Sequence, residues 1–174
     1  MRRSFRKPLI VIAPKKLLKL RDACSSIDEF GTDTKFNRVL WERSPDSIHA
    51  PDQIKRLLIC SGQVYYDVRK KRDAEFPDTA IITLEQLFPM PYDNLKEIFE
   101  HYPNLDTVRW VQEEQKNMGG YFFVQPRVNT LLRMIGRTNL RLKYAGRPPS
   151  ASPATGYPKI HAAELEQFLE AAFK

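Results

Sequence analysis

From Ile54 onward, short apolar runs alternate with longer stretches whose apolar residues recur at helical spacing. Arg56–Cys60 and Ala80–Leu84 read as buried strands, and Thr107–Gln112 and Leu140–Tyr144 as a third and a fourth. Between them the pattern predicts helices from Gln63 to about Asp73 and over Tyr92–Tyr102, where Leu95, Ile98, Phe99 and Tyr102 share a face. A third helical region places Tyr121, Val124, Val128, Leu131, Leu132 and Ile135 on one side. Pro126 either kinks it or sits in the first turn of a later-starting helix. A last helix, Ile160–Phe173, turns Leu165, Phe168, Leu169 and Ala172 inward. Strand–helix alternation with short buried strands predicts an α/β fold, a parallel-rich sheet with helices on both faces.

Upstream the pattern is less regular. Leu9–Ala13, between Pro8 and Pro14, reads as a short buried strand, followed by a basic helical turn over Lys15–Leu20. The stretch from Ala23 to Pro51 is mixed, and Phe36–Trp41 is a candidate edge strand. This suggests three parts: 1–22, a connecting segment 23–53, and a main domain 54–174.

Composition changes this picture little. A chain of 174 residues with 42% hydrophobic and 28% charged residues can build one domain with a proper core. Two cysteines imply no disulfide framework and fit a reducing interior. No apolar run is long enough to span a bilayer. The net charge of +7 suits either an anionic partner or simply a basic domain. Nucleic acid is disfavoured, because the aromatics interleave with core positions rather than with the basic residues. The basic, acid-free start before Asp22 invites a mitochondrial presequence reading, but Pro8 and Pro14 would break its helix. A chain that starts part-way through a longer protein explains the pattern better.

Ser61-Gly62-Gln63 joins a strand to a helix; Ser61 caps that helix, or the amides there hold a phosphate or carboxylate. Gln63, Tyr65 and Tyr66 are candidate interface residues on its first turn. Glu113 and Glu114, adjacent at a strand end, point to opposite faces and so do not form an acid/base pair. One could cap the helix near Gly119-Gly120, and both are candidates for a subunit or domain contact. His49, His101 and His161 lack metal-ligand or triad spacing, and Cys60 reads as an inert core thiol. Arg137, Arg141, Lys143 and Arg147, with Ser150, Ser152 and Thr155, form either an anion site or a set of docking contacts.

Those last residues surround LKYAGRPPSASPATGY, Leu142 to Tyr157, a stiff proline-bearing loop rich in hydroxyls. Together with RKPLIVIAPKKLL (Arg6–Leu18), CSGQVYYD (Cys60–Asp67), EQLFPMP (Glu85–Pro91) and WVQEE (Trp110–Glu114), it resembles the C-terminal part of the 2-oxoglutarate dehydrogenase decarboxylase family. The resemblance implies a transketolase C-terminal-domain fold, with residues 1–22 closing an upstream pyrimidine-binding domain. It also implies an intact enzyme that uses thiamine diphosphate and Mg2+ to decarboxylate 2-oxoglutarate, and passes a succinyl group to a lipoyl-bearing partner component. A homodimer in the mitochondrial matrix, or in the cytoplasm of a bacterium, would follow, with an acyl-coenzyme A site at the arginine cluster. None of the seven glycines lies in the Gly-Asp-Gly segment that such an enzyme needs for its cofactor. This stretch alone is therefore expected to be inactive, supplying contacts and regulation. A 2-oxoadipate enzyme, or a free-standing anion-binding module, are the alternatives.

Overall fold

A computed structural model describes residues 4–174. The chain divides into a short N-terminal unit, up to Thr34, and a main unit, Lys35–Lys174.

In the N-terminal unit, short 3-10 turns cover Lys15–Lys19, Arg21–Ala23 and Ile27–Phe30. The last of these is held by a capping box between Ser26 and Glu29. The expected basic turn after Pro14 is present. The expected buried strand over Leu9–Ala13 is not: Leu9, Ile10, Val11 and Ile12 are 75–96% exposed and form no strand. A strand exists by virtue of a hydrogen-bonded neighbour, and among the described residues none pairs with this run.

The main unit runs β1 (Val39–Leu40), β2 (Arg56–Cys60), α1 (Val64–Glu75), β3 (Thr79–Leu84), α2 (Tyr92–His101), β4 (Thr107–Gln115), α3 (Tyr121–Met134), β5 (Leu142–Arg147) and α4 (Pro158–Phe173). The strand order is β1-β3-β2-β4-β5, with β1 antiparallel to β3 and every other pairing parallel. Side chains of successive strand residues go to opposite faces. Leu57 and Ile59 of β2, Ala80 and Ile82 of β3, and Val108 and Trp110 of β4 meet α2 and α3 on one face. Leu58, Cys60, Ile81, Val111 and Ala145 meet α1 and α4 on the other. The fold class expected from the alternation is therefore the one observed.

The differences lie at element ends. β4 runs three residues further than expected, to Gln115, and β5 starts at Leu142 and reaches Arg147. Parallel pairing of Gln115 with Arg147, past a register irregularity after Val111, carries both strands that far. Pro126 lies inside α3, which starts at Tyr121 and is not delayed by it.

The sheet margin beyond β1 is completed by a side chain. Glu42, just after β1, accepts from the Ile81 amide at 2.9 Å and pairs with Arg72 of α1 at 2.8 Å. Arg72 is fully buried and also donates to the Thr79 carbonyl. Burying two charges is tolerable only when they are paired and further hydrogen-bonded, as here.

Candidate functional site at the carboxyl edge of the sheet

All parallel strands of a sheet present their carboxyl ends at one edge. Where successive crossovers diverge, the loops part and leave a crevice. Here β2 connects outward to β3, and β4 connects the other way to β5, so the divergence lies between β2 and β4. Gln63, after β2, donates from Nε2 to Glu113 Oε1 of β4 at 2.7 Å, bridging that point. Two residues singled out in the sequence as contact candidates are thus partners of one another.

Ser61 does not cap α1. Gly62 turns with φ +77°, a left-handed conformation that favours glycine, and the helix begins only after Gln63. That leaves the Ser61 hydroxyl outside the first turn. Tyr65 is buried in the core against Tyr66 rather than displayed, with the Arg43 guanidinium 5.7 Å from its ring centre. Tyr66 is only half-buried. Cys60 is buried too, and burial raises its thiol pKa far above the usual range, which keeps it unreactive.

The β4–α3 loop is organised by a residue to which the sequence reading gave no role. Gln112 Oε1 accepts from the Trp110 indole at 2.7 Å and from the Tyr121 amide at 3.1 Å. Its Nε2 donates to the carbonyls of Met118 at 2.7 Å and Gln115 at 3.1 Å. An amide has an acceptor and two donors, so one buried side chain ties strand, loop and helix start together. The cap on α3 is therefore Gln112 and not a glutamate; neither Glu113 nor Glu114 caps it. Gly119, at φ +66°, is required for a second reason: a Cβ there would lie 2.9 Å from the Gln112 amide. A Cβ on Gly120 would lie 3.0 Å from Trp110. The signal available in the sequence was a polar Gln on an apolar strand shortly before a glycine pair.

The loop after β5 packs beside this one. Arg147 is 6% exposed. Its Nε pairs with Glu164 of α4 at 2.8 Å, and Nη1 donates to the Glu113 carbonyl. Its Nη2 lies 3.1 Å from His161 Nδ1. Asn117 clamps Ser150 through both its amide and its carbonyl, at 3.0 and 2.9 Å. Ser150 Oγ in turn accepts from the Ser152 amide, and Ser152 Oγ donates to Ala154 O. Tyr144 reaches the carbonyl of Arg147 at 2.7 Å, and burial pushes its phenol up to about 12. These loops line a half-open pocket of about 270 Å³, with Arg147, Ser150, Ser152, Thr155 and their neighbours around it.

The remaining basic candidates lie elsewhere. Arg137 donates to Phe99 O, and Arg141 donates to Thr138 O and Leu140 O before β5 begins. Lys143 is exposed on the strand. At about 3.3 Å per residue, the rise along β5 puts Arg141 roughly 20 Å from Arg147, so one small anion does not span them. Arg141 and Arg147 are close along the chain, and the extended strand separates them.

Among the described residues no cluster of three His, Cys, Asp or Glu side chains could hold a metal ion, and no helix is long and apolar enough to cross a membrane.

The family model described as 2-oxoglutarate dehydrogenase C-terminal matches residues 24–173. A probable 2-oxoadipate dehydrogenase complex component E1 homolog from Dictyostelium discoideum is 42% identical over 99% of this chain and 19% of its own length. A mitochondrial 2-oxoglutarate dehydrogenase-like protein from Pongo abelii is 42% identical over 97% of the chain and 16% of its own length. The 2-oxoglutarate dehydrogenase E1 component of Brucella anthropi is 38% identical over 99% and 18%. The chain therefore spans less than a fifth of these relatives. The match takes in the carboxyl-edge loops and both sides of the sheet, and the chain belongs to the 2-oxoglutarate dehydrogenase C-terminal family.

Proposed function

We propose that this chain is the C-terminal domain of a 2-oxo acid dehydrogenase decarboxylase acting on 2-oxoglutarate, and that its own part is to make contacts. The observation that carries this is the carboxyl edge itself. Gln63–Glu113, Gln112 and Arg147 make it a set of locked loops, whose polar groups hold one another in place. A surface so fixed is suited to positioning a neighbour. Gln63, Tyr66, Glu113 and Glu114 are the residues through which it would meet upstream domains or a second copy, while Tyr65 supports them from the core.

In this reading residues 1–22 close an upstream pyrimidine-binding domain, and 23–53 lead into 54–174. The exposed run Leu9–Ile12 supports it, as a strand in search of a sheet. Thiamine diphosphate, with its Mg2+, would supply the carbanion chemistry of the intact enzyme. None of the seven glycines lies in a Gly-Asp-Gly segment, and in this reading the upstream part holds that pair. The lipoyl-bearing succinyltransferase is the partner component, and the mitochondrial matrix the compartment, or the cytoplasm if the source is bacterial. Arg141 and Lys143, at the opposite end of β5 from Arg147, remain the residues for an acyl-coenzyme A contact.

A 2-oxoadipate substrate is the second reading, favoured by the Dictyostelium relative. Immunodepletion of a native extract with antibody against this chain separates the two. Loss of coenzyme A-dependent 2-oxoglutarate decarboxylation supports the first, and selective loss of the 2-oxoadipate activity supports the second. Retention of both activities in the depleted extract overturns the proposal.

A further inference from the structure

A half-open pocket of about 260 Å³ lies where the segment after β1 meets the end of α2. Trp41, His101 and Tyr102 line it. Trp41 is 37% exposed. The His101 ring stands across both other rings, at 72° to Trp41 and 76° to Tyr102, with centres 5.4 and 4.8 Å away. Tyr102 is only 2% exposed, yet its hydroxyl has no hydrogen-bond partner among the described residues. It is not sealed in as the partnerless Tyr65 hydroxyl is, and so it opens on the pocket. A phenol keeps its proton at neutral pH, so this one has a donor to offer to whatever enters.

The lining selects the chemistry of that ligand. No lysine or arginine is part of it, so a phosphate meets no cation there. Its one carboxylate, Glu42, is fully engaged. Oε1 accepts from the Ser44 amide and from Arg72, and Oε2 from the Ile81 amide and from Arg72, all at 2.8–3.0 Å. A cation therefore finds no free negative charge. What remains is aromatic surface, the apolar side of Ile48 and two prolines, and the Tyr102 hydroxyl. Aromatic faces and edges attract another ring through their quadrupoles, beyond the area that is buried. The volume is just under the lower bound for drug-sized ligands, about 300 Å³, and suits one ring or two fused ones. The walls are also fixed in advance. Pro45 and Pro51 stiffen the segment, Glu42 holds the Ser44 amide, and His49 N donates to Pro77 O at 2.8 Å.

We propose that this pocket binds an uncharged, planar heteroaromatic molecule of one or two rings, which packs on Trp41 and accepts a hydrogen bond from the Tyr102 hydroxyl. His101 and Tyr102 end α2 just ahead of β4, so the site lies toward the amino ends of the parallel strands. It is separate from the Gln63–Glu113 bridge at the carboxyl edge and does not depend on the identity of the 2-oxo acid.

The test is an NMR titration of the 174-residue chain with nicotinamide and with adenine, set against cyclohexanecarboxamide, inorganic phosphate and tetramethylammonium. Saturable shifts of the Trp41 indole N–H and the His101 amide are expected with at least one of the two aromatic probes. The Trp110 indole N–H, already bonded to Gln112 in the core, should not move. Tyr102→Phe keeps the fold, since it removes only an unpartnered hydroxyl, and weakens binding about fivefold, the equivalent of one hydrogen bond. Trp41→Leu, at a half-exposed position, is a second folded variant and removes the saturable shift at His101. The proposal is overturned if neither aromatic probe gives saturable shifts, or if any of the three comparison compounds binds as tightly as they do. It is overturned equally if Tyr102→Phe binds as the unmodified chain does.

Discussion

Leu9–Ile12 and Leu57–Cys60 are both four-residue apolar runs, and their fates are opposite. LIVI is open to solvent, with Ile12 96% exposed and no strand formed. LLIC is the central strand of a five-stranded sheet, each residue fully buried. Both runs have the apolar content of a buried strand. The difference is in what surrounds them. β2 has β3 on one side, β4 on the other, and helices over both faces. A strand is thus a property of a neighbourhood, and its sequence states only that it would accept one.

The largest effect should come from breaking the neighbourhood where it is completed by a side chain. Arg72→Ala strands Glu42 as a buried, unpaired carboxylate beside β3 and should cost about 3–5 kcal/mol in urea denaturation. Arg72→Met combined with Glu42→Gln should recover part of that loss, because both charges go together while the Gln amide oxygen can still accept from the Ile81 amide.

Next, Ile59→Ala in β2 should cost about 2–5 kcal/mol, the range for a cavity in a core that cannot collapse. Gly119→Ala should cost about 1–3 kcal/mol, from the positive φ and the crowding of Gln112, and should broaden the Trp110 indole resonance.

Alkaline pH probes the same core more gently. Burial, with the Glu42 charge as a second cause, pushes the Tyr102 phenol up to about 12. A phenol whose folded value is raised stabilises the fold fully below its unfolded value, about 10. That contribution is lost as pH climbs from about 10 through 12. Tyr102→Phe should therefore flatten the decline in stability over that window, as followed by circular dichroism.

The smallest effect is the control. Ile10→Ala should change the stability of this chain by less than about 0.5 kcal/mol, because the side chain already faces water. The same substitution in a longer protein that supplies a sheet for this run should cost several times more. Equal, small effects in both settings would break the comparison at its base.

The α/β alternation from Ile54 onward was legible because the period of apolar residues is set by local geometry, two for a half-buried strand and 3.6 for a helix. The positions of α1, α2 and α4 followed from it within two residues or so. The ends of β4 and β5 were not legible, since Gln112 to Gln115 and Gly146-Arg147 have no apolar pattern and are held extended by each other. At the carboxyl edge, sequence pointed to Gln63, Glu113 and Arg147 as polar residues in unusual places. It could not show that Gln63 and Glu113 join each other, or that Arg147 is engaged by Glu164.

By itself, then, the sequence determined the fold class, the family, and the stiffness of the loop from Arg147 to Tyr157, because propensity, periodicity and proline act over a few neighbouring residues. Only the tertiary structure decided which apolar runs became strands and which charges were paired. Those outcomes depend on contacts between residues tens of positions apart, and no local pattern encodes a contact until the chain has closed to make it.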